Sequence, residues 1–457
     1  MSRTFDAIIV GAGQAGPALA LRLVAAGKTV AIVERHLVGG TCVNTGCKPT
    51  KTLIASAYAA RIARRGADYG VGVGSVSIDM PTVASRARKV ILDSRKDTED
   101  WLAGMPGLTF IRGHARFVGP RRLEVNGETI EAAQVFLNVG GRARVPDFPG
   151  IDEVDYLTNS TIIPLESVPA HLVVVGGSYI GLEFAQMYRR FGAEVTVVEQ
   201  GPRLVQREDE DVSGEIRSFL EEEGIEVRTN ACCVALARHP EGVSVRVDCT
   251  DGSPQVVGTH LLLAVGRRPN TDDLGLDKAG VAVDEAGYIT VDDGLATTAE
   301  GVWALGDCNG KGAFTHTAWN DYEIVAANLL DGEDRKVSDR ILGYALYVDP
   351  PLGRVGMTEA QARKSGRPLL VSKRPMSRVG RAVEKGETRG FMKIVADADT
   401  KKILGAAILG TGGDEAIHGI LDMMNADASI GVLQWAMPIH PTVSELIPTV
   451  VGELKPL

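Results

Sequence analysis

Apolar and glycine-rich segments alternate at the start of the chain in the order expected for a strand, a tight turn, a helix and a second strand. Phe5–Val10 and Thr29–Val33 are short apolar runs typical of buried parallel strands, and Pro17–Ala26 has the composition of a connecting helix. Glu34 closes the second strand, 23 residues after the first turn glycine. The turn glycines are Gly11, Gly13 and Gly16. This pattern is typical of a dinucleotide-binding unit, with pyrophosphate at the helix N-terminus and the acid on a ribose.

The same pattern recurs near the middle of the chain. The runs Leu172–Val175 and Glu194–Val198 flank a second glycine turn, and the closing acid again lies 23 residues after the first glycine. The two outer glycines and the acid are Gly176, Gly181 and Glu199. Ser178 occupies the place of the middle glycine, and because serine is small we expect binding to be tolerated. One such turn is weak evidence, but two with equal spacing indicate two bound dinucleotides.

After about residue 336 the pattern changes to strand-like runs. Phe391–Ala396 and Ile403–Leu409 flank a turn at Asp397–Thr400, which predicts antiparallel strands. A helical stripe of apolar residues follows, typical of a core face or a subunit interface. Its members are Ala416, Ile417, Ile420, Leu421 and Met424. The complete pattern predicts an α/β fold with two Rossmann-like dinucleotide-binding domains and a C-terminal α+β domain.

The composition is that of an ordinary globular enzyme. The chain has 457 residues, of which 44% are hydrophobic and 23% charged, and its net charge of −9 disfavours nucleic acid and anionic membranes as partners. The apolar N-terminal segment is interrupted by glycines and lacks the basic start of a signal peptide. Because no long uninterrupted apolar run exists, we expect a soluble, cytoplasmic protein without membrane spans.

Two of the six cysteines are spaced in a way that suggests redox chemistry. In a regular helix Cys42 and Cys47 would point to different sides, so a bond between them needs the irregular backbone that Gly46 and Pro49 can supply. A pair held in a tight, glycine-adjacent ring suits a reducible disulfide, and the alternative is two buried free thiols. Core or edge packing is predicted for Cys232, Cys233 and Cys249. No metal-ligand spacing appears.

Several motifs along the chain occur together. They are Gly11–Gly16 with Glu34, Gly40–Lys51, Gly176–Glu183, Gly266–Thr271, Ala304–Asp307 and His440–Glu445. In combination they resemble, over essentially the whole chain, the flavoprotein pyridine nucleotide–disulfide reductases. That group includes dihydrolipoamide dehydrogenase, glutathione reductase and mercuric reductase. The segments Asp349–Met357 and Met376–Arg381 look closest to the mercuric reductase-like and dihydrolipoamide dehydrogenase-like branch.

The resemblance implies a discontinuous FAD-binding domain (1–150 and 270–335), an NAD(P)H-binding domain (151–269) and a dimerisation domain (336–457). Glu199 at the second ribose position favours NADH because a carboxylate repels a 2′-phosphate, while Arg203 and Arg207 keep NADPH open. The residues implied to contact the cofactors are Gly11, Gly13, Gly16, Glu34, Gly40, Thr41, Lys51, Gly306, Asp307, His316, Gly176, Gly181, Glu199 and Gly266.

The resemblance also implies an order of electron transfer. Cys47 would lie nearer the flavin and receive electrons, and Cys42 would attack the substrate as a thiolate. Lys51 and Glu183 would form an ion pair beside the reactive edge of the flavin, where a buried cation stabilises its reduced, anionic form. Tyr179 would shield the flavin until the nicotinamide arrives.

His440 would act as general acid–base for the thiols, poised by Glu445. In the family this histidine comes from the partner subunit, so the resemblance implies an obligate homodimer. A second interpretation of Thr442–Glu445 is a capping box, in which the acid only bonds a backbone N–H.

A small disulfide or another oxidised sulfur compound is the leading substrate class, and hypothiocyanous acid is one candidate known in related branches. Oxidation of dihydrolipoamide is the second hypothesis, because it would use the same residues in reverse. Reduction of mercuric ion is less favoured, since no cysteine follows Cys308 to deliver a soft metal. A flavoprotein component of a larger complex, with an idle dithiol, is an alternative of a different class.

Overall fold

The computed structural model describes residues 3–232, 234–247 and 253–457. Cys233 and Cys249 therefore lie outside the described residues. Cys232 is exposed and lies ahead of the strand Val234–His239, so the predicted core or edge packing is wrong for this residue. The physical reason is a turn at Asn230, whose φ of 57° places it in the left-handed region and ends the extended run.

A seven-stranded sheet carries the first glycine turn. Its central strand Arg3–Val10 pairs in parallel with Val30–Glu34 on one side and Glu128–Leu137 on the other. Val302–Ala304 also pairs in parallel with Glu128–Leu137, so the chain returns to this sheet after building other structure. The remaining strands are Leu108–Arg112, Ala115–Gly119 and Arg122–Val125. Apolar residues are buried on both faces, as parallel strands require.

A second parallel sheet carries the second glycine turn. Its strands, in spatial order, are Glu226–Arg228, Glu194–Val198, His171–Val175 and His260–Leu263. Beside it stands an antiparallel sheet of Val234–His239, Gly242–Val247 and Gln255–Gly258. A short antiparallel pair, Gly141–Ala143 with Arg267–Pro269, lies at the crossing between the two halves.

The C-terminal region is built on a six-stranded antiparallel sheet. Its strands, in spatial order, are Gly343–Leu346, Leu352–Gly356, Ile403–Leu409, Phe391–Asp397, Leu369–Pro375 and Lys455–Pro456. The helix Gly413–Asn425 covers this sheet and buries Ala416, Ile417 and Ile420 in its core. The predicted apolar stripe is therefore confirmed as a packing face.

The α-helices that surround the sheets are Ala15–Ala25, Gly40–Asn44, Cys47–Arg64, Met80–Ala103, Asn159–Ile162, Tyr179–Phe191, Glu210–Glu222, Leu276–Ala279, Thr315–Ala326, Glu359–Lys364, Gly380–Glu384, Gly413–Asn425, Ile430–Gln434 and Ile447–Gly452. The first begins two residues earlier than predicted because the backbone of Gln14 already has helical φ and ψ. No helix among the described residues is long and apolar enough to cross a membrane.

Candidate active site

The two glycine turns have the same backbone geometry. Gly11 has a φ of 106°, and a Cβ atom added there would lie 2.3 Å from the backbone oxygen of Asn138. An added Cβ on Gly16 would lie 2.4 Å from the oxygen of Gly11. In the second turn Gly176 has a φ of 118°, and a Cβ on Gly181 would lie 1.9 Å from the oxygen of Gly176. Only glycine fits these four positions, so both turns press a helix N-terminus tightly against its strand.

The acids that close the two units are held in equivalent ways. Glu34 accepts hydrogen bonds from the Ala12 N–H (2.9 Å) and the His36 N–H (2.8 Å). Glu199 accepts them from the N–H groups of Gly177 (2.6 Å) and Gly201 (2.7 Å). Each carboxylate is thereby fixed beside its glycine turn, where an acidic residue accepts hydrogen bonds from a ribose.

One cavity of about 1690 Å³ connects the first glycine turn with the cysteine pair. This volume exceeds the roughly 300–1,000 Å³ of ordinary small-molecule pockets, so it has room for an extended dinucleotide. Its wall includes Gly13, Glu34 and Asp307 at one part and Cys42 and Cys47 at another. One continuous space is therefore lined by backbone donors for a pyrophosphate, an acid for a ribose and a cation at the thiol end. These residues fit FAD.

Cys42 and Cys47 lie on either side of a break between two helices. Cys42 is in Gly40–Asn44, and Cys47 is the first residue of Cys47–Arg64. A Cβ atom on Gly46, in the break, would lie 2.8 Å from the backbone oxygen of Thr41, so the chain can fold back this closely only with glycine. Both cysteines are free thiols here, and they share a hydrogen bond.

The hydrogen bond makes the two thiols chemically unequal. Donation from Cys42 lowers the pKa of Cys47 to about 6, and burial acts in the opposite direction. Thr315, whose Oγ1 lies 3.4 Å from the Cys47 sulfur, and the charge of Lys51 lower this pKa further. The same hydrogen bond, followed by burial, raises the pKa of Cys42. Cys47 is therefore the more acidic thiol of the pair, and Cys42 is the one that needs a base before it can attack.

These shifts predict a pH dependence. A depressed pKa means that Cys47 stays a thiolate above about pH 6 and is protonated as the pH falls through that value. We expect the thiolate signal of the two-electron-reduced protein, read as long-wavelength absorbance, to show its midpoint there. The single-cysteine variants form no disulfide, so their Cys47 thiolate is read in the oxidised protein. Cys42→Ala removes the donor and should move the midpoint upward, whereas Cys42→Ser keeps a donor and should move it less. Equal midpoints in all three proteins would contradict this assignment.

Lys51 and Glu183 form an ion pair next to the cysteines. Lys51 Nζ donates to Glu183 Oε2 at 2.6 Å and lies 4.5 Å from the ring centre of Tyr347. Glu183 Oε1 accepts from the backbone N–H of Tyr347 at 3.0 Å. The glutamate is buried while the lysine is one-third exposed toward the cavity. The carboxylate thus holds the ammonium group at the end of the cavity where the thiols lie.

Three further predicted cofactor residues lie on the same wall. The Asp307 carboxylate is paired with Arg267 Nε at 3.3 Å, and burial raises its pKa. The Thr41 hydroxyl accepts from Arg267 Nη2 at 3.3 Å. His316 stacks on Phe314 and contacts the Gly343 carbonyl at 2.7 Å through Nε2. The other predicted positions on this wall are Gly40, Gly266 and Gly306.

Tyr179, at the first position of its helix, lines the cavity together with Glu183. Its hydroxyl donates to Glu208 Oε1 at 3.2 Å, and its ring packs edge-on against Tyr344 with centres 5.6 Å apart. The ring is therefore held at one specific place, where it lines the cavity on one side and packs against the hydrophobic core on the other.

His440 lies apart from the cavity of its own chain. Its Nδ1 is 2.8 Å from Glu445 Oε2, and its side chain is 80% exposed. The Glu445 backbone N–H donates to the Thr442 hydroxyl, so the threonine caps the turn while the acid contacts the imidazole. The neighbouring side chains Met437 and Ile439 are 96% and 79% exposed, which is exceptional for large apolar residues. This segment therefore has the character of a surface that another chain covers.

Sequence reasoning missed several residues that complete this site. Arg267 lies inside the motif Gly266–Thr271, which by itself gives it no role. Thr315, Tyr347, Glu208 and Tyr344 have no local signal in the sequence, because the contacts that place them at the site join distant segments. These contacts are Thr315 with Cys47, Tyr347 with Glu183, and Glu208 with Tyr344 and Arg354. They could be found only once the sheets were assembled.

The chain matches the sequence profiles of two families. Residues 5–321 match "Pyridine nucleotide-disulphide oxidoreductase", and residues 343–451 match the dimerisation domain of the same family. The two matches together cover most of the chain. They confirm the predicted family and its fold class.

Curated relatives and a solved structure agree with this family. The probable pyridine nucleotide-disulfide oxidoreductase RclA of Escherichia coli is 35% identical over 96% of this chain and 97% of its own length. A dihydrolipoyl dehydrogenase of Thermus scotoductus is also 35% identical, over 97% of this chain and 96% of its own. The solved structure of the HOCl-induced flavoprotein disulfide reductase RclA superposes with a TM-score of 0.89, at 35% identity over 98% and 99% of the two chains.

These comparisons agree with the two glycine turns, the long cavity and the dithiol beside the ion pair. The chain belongs to the pyridine nucleotide-disulphide oxidoreductase family, whose members are FAD enzymes that exchange electrons between NAD(P)H and a redox disulfide.

Proposed function

We propose that this enzyme reduces a small disulfide or another oxidised sulfur compound with electrons from NAD(P)H, and that Cys42 is the residue that attacks the substrate. The observation that carries the proposal is that Cys42 and Cys47 lie on two adjoining helices, on either side of one break in the chain, and both line the cavity together with Lys51. Bound FAD supplies the two-electron connection between the nicotinamide and the Cys42–Cys47 disulfide.

Reduction of the disulfide takes up two electrons and one proton and leaves Cys47 as thiolate and Cys42 as thiol. Deprotonated Cys42 then attacks one sulfur of a substrate disulfide, which forms a mixed disulfide and expels the other half as a thiolate. Cys47 attacks the Cys42 sulfur in turn, so the internal disulfide forms again and the second half leaves. The lowered pKa of Cys47 suits this last attack because the thiolate is the nucleophilic form of the side chain.

The proton on Cys42 needs an acceptor. We assign this role to His440 of a second copy of the chain, oriented by Glu445, because the imidazole is exposed and lies apart from the cavity of its own chain. The imidazolium then returns the proton to the leaving thiolate, so the histidine is neutral again at the end of the step. This arrangement makes the homodimer the active unit, as the family's dimerisation domain suggests.

We further assign FAD to residues 1–150 and 270–335, NAD(P)H to residues 151–269, and subunit contacts to residues 336–457. Support comes from the sheets: Val302–Ala304 pairs within the first sheet, whereas the second glycine turn belongs to a separate parallel sheet. The antiparallel sheet from residue 343 onward carries the His440 segment.

NADH is the proposed electron donor. Glu199 is held by two backbone N–H groups and by Gln206 Nε2 at 2.9 Å, so its carboxylate stays beside the turn and repels a 2′-phosphate. We expect Glu199→Ala to lower kcat/KM for NADH by about tenfold, because a charged hydrogen bond is worth roughly 1.5–3 kcal/mol, and to improve use of NADPH. Glu194→Ala, at the exposed start of the same strand, is the matched control. An unchanged NADH/NADPH ratio in Glu199→Ala would remove this residue from cofactor selection.

The deciding experiment is an anaerobic titration of the purified enzyme with NADH, followed by visible absorbance. Two-electron reduction should produce a long-wavelength band from the Cys47 thiolate beside the flavin, and a disulfide substrate should discharge it. The panel includes small disulfides, hypothiocyanous acid, dihydrolipoamide with NAD⁺, and mercuric ion. Discharge by disulfides or by hypothiocyanous acid supports the proposal. Fast turnover only with dihydrolipoamide would identify the reverse activity, and bleaching without the band would show an idle dithiol.

A further inference from the structure

A buried carboxylate lies between the Tyr179 ring and the C-terminal sheet. Glu208 is 2% exposed, and its Oε1 accepts hydrogen bonds from two tyrosine hydroxyls, Tyr179 at 3.2 Å and Tyr344 at 2.8 Å. Its Oε2 accepts from Arg354 Nε at 2.9 Å and from Arg354 Nη2 at 2.5 Å. One acid therefore connects the second glycine turn with two residues of the C-terminal sheet.

The position of this carboxylate is fixed from behind. Arg354 is 1% exposed and also contacts Asp209 Oδ2 at 3.4 Å. Asp209 accepts hydrogen bonds from the N–H groups of Glu359 (3.1 Å) and Ala360 (3.0 Å). Because each buried charge in this chain of contacts is paired, Glu208 cannot follow the tyrosine ring when the ring moves.

Tyr344 has a ring contact of its own in addition to the one with Tyr179. Its ring stacks on Phe314 with centres 5.6 Å apart and an interplanar angle of 9°. Phe314 stacks on His316 in the cavity wall. Tyr344 therefore keeps its hydrogen bond to Glu208 whether or not Tyr179 is present.

We propose that Glu208 and Tyr344 form a latch for the Tyr179 ring. Glu208 holds the ring closed over the nicotinamide site through one hydrogen bond, and Tyr344 keeps the free energy of opening small because it remains bonded to Glu208 when the ring leaves. The inference rests on the proposed role of Tyr179 as a ring that must move when the nicotinamide binds. When Tyr179 leaves, Glu208 Oε1 keeps the Tyr344 hydroxyl and Oε2 keeps Arg354, so no buried carboxylate oxygen loses its last partner. Opening then costs one hydrogen bond, which corresponds to about fivefold in binding. Tyr344 and Glu208 are positioning residues for the nicotinamide step.

The latch predicts effects of opposite sign for two similar substitutions. Tyr179→Phe removes the bond that holds the ring closed and should lower the Kd for NAD⁺ about fivefold. Tyr344→Phe leaves Tyr179 as the only hydroxyl on Oε1, so opening strands a buried oxygen and the Kd should rise by about fivefold or more. In the Tyr179→Phe background, Tyr344→Phe should have almost no effect on the Kd, because the two hydroxyls share one acceptor.

The test is calorimetric titration of the FAD-loaded dimer with NAD⁺ for the wild type, the two single variants and the double variant. The Kd for NAD⁺ is the readout, since the latch acts on binding. Tyr188→Phe is the matched control: this buried tyrosine of the same helix donates to the Ile162 carbonyl, and loss of its hydroxyl should leave the Kd for NAD⁺ unchanged.

Additive effects of the same sign, or an unchanged Kd in both single variants, would overturn the latch. If disulfide turnover persists in that case, the proposed function stands. Conversely, a wild-type enzyme that reduces no disulfide but shows the opposite-sign pattern in Kd would overturn the substrate proposal and support the latch.

Discussion

Replacing Cys42 with serine is expected to lower turnover with a disulfide substrate by about 10³-fold or more, because the attacking sulfur is lost and a serine hydroxyl is a far weaker nucleophile near neutral pH. FAD should remain bound, since Cys42 is only one of many residues in the cavity wall. The Cys47 thiolate should also remain, because serine keeps a hydrogen-bond donor beside it. The measurement is steady-state disulfide reduction together with the absorbance spectrum of the oxidised protein, because a chain without Cys42 forms no internal disulfide and carries the Cys47 thiolate beside oxidised flavin before any reduction.

The matched variant is Cys47→Ser, which removes the thiolate that serine at position 42 preserves. It should eliminate the long-wavelength band and leave Cys42 with a pKa closer to its ordinary value, since the hydrogen bond to Cys47 is the largest cause of its upward shift. Retained disulfide turnover in Cys42→Ser, or a band that survives in Cys47→Ser, would reverse the assigned order of the two cysteines.

Replacing His440 with alanine is the second large effect, an expected decrease of about 10²- to 10⁴-fold in the thiol-exchange step. The elevated pKa of Cys42 makes a base necessary, and the imidazole is the group proposed to supply it. Binding of FAD and its reduction by NADH should be unchanged, because His440 is not among the residues that line the cavity of its own chain and its imidazole is bonded to Glu445. Rapid-reaction measurements that separate reduction by NADH from reoxidation by disulfide test both statements. Loss of FAD would instead indicate a structural role.

The dimer allows a sharper form of this experiment. Hybrid dimers that combine a Cys42→Ser chain with a His440→Ala chain contain one site with both groups intact, if His440 acts across the interface. Such hybrids should recover about half of the wild-type activity per dimer, whereas each parent homodimer stays nearly inactive. Hybrids as inactive as the parents would show that the histidine does not serve the partner's cysteines.

The sequence predicted those parts of the site that depend on neighbours along the chain. Gly11, Gly16, Gly176 and Gly181 are recognisable because a tight strand-to-helix turn excludes any Cβ, and the acids at a spacing of 23 residues follow from the length of one helix and one strand. The Cys42–Cys47 spacing likewise fits a local break in a helix. Predicted strands agree with the observed ones within about two residues at their ends, as for Glu194–Val198, because buried parallel strands have a continuous apolar pattern.

The family resemblance predicted the ion pair of Lys51 with Glu183, and in the structure Lys51 Nζ lies 2.6 Å from Glu183 Oε2. Periodicity could not have predicted it, since the two residues are 132 positions apart. The orientation of Glu445 was open between a helix cap and a partner for His440, and the side-chain geometry places its carboxylate on the imidazole. In each case the deciding information is which surfaces pack together.

By itself, then, the sequence determined the two dinucleotide-binding units, the dithiol and the family. These features depend on short-range sterics and on the chemistry of neighbouring residues, and both can be recognised from the spacing of residues along the chain. Only the tertiary structure decided how the thiols differ in acidity, which hydroxyl reaches Cys47, and where Tyr179 is anchored. Those properties arise from contacts such as Cys47 with Thr315, 268 positions apart, and Glu208 with Arg354, 146 positions apart. Burial and hydrogen bonding between distant segments arise only when the domains pack, so no local pattern along the chain can predict them.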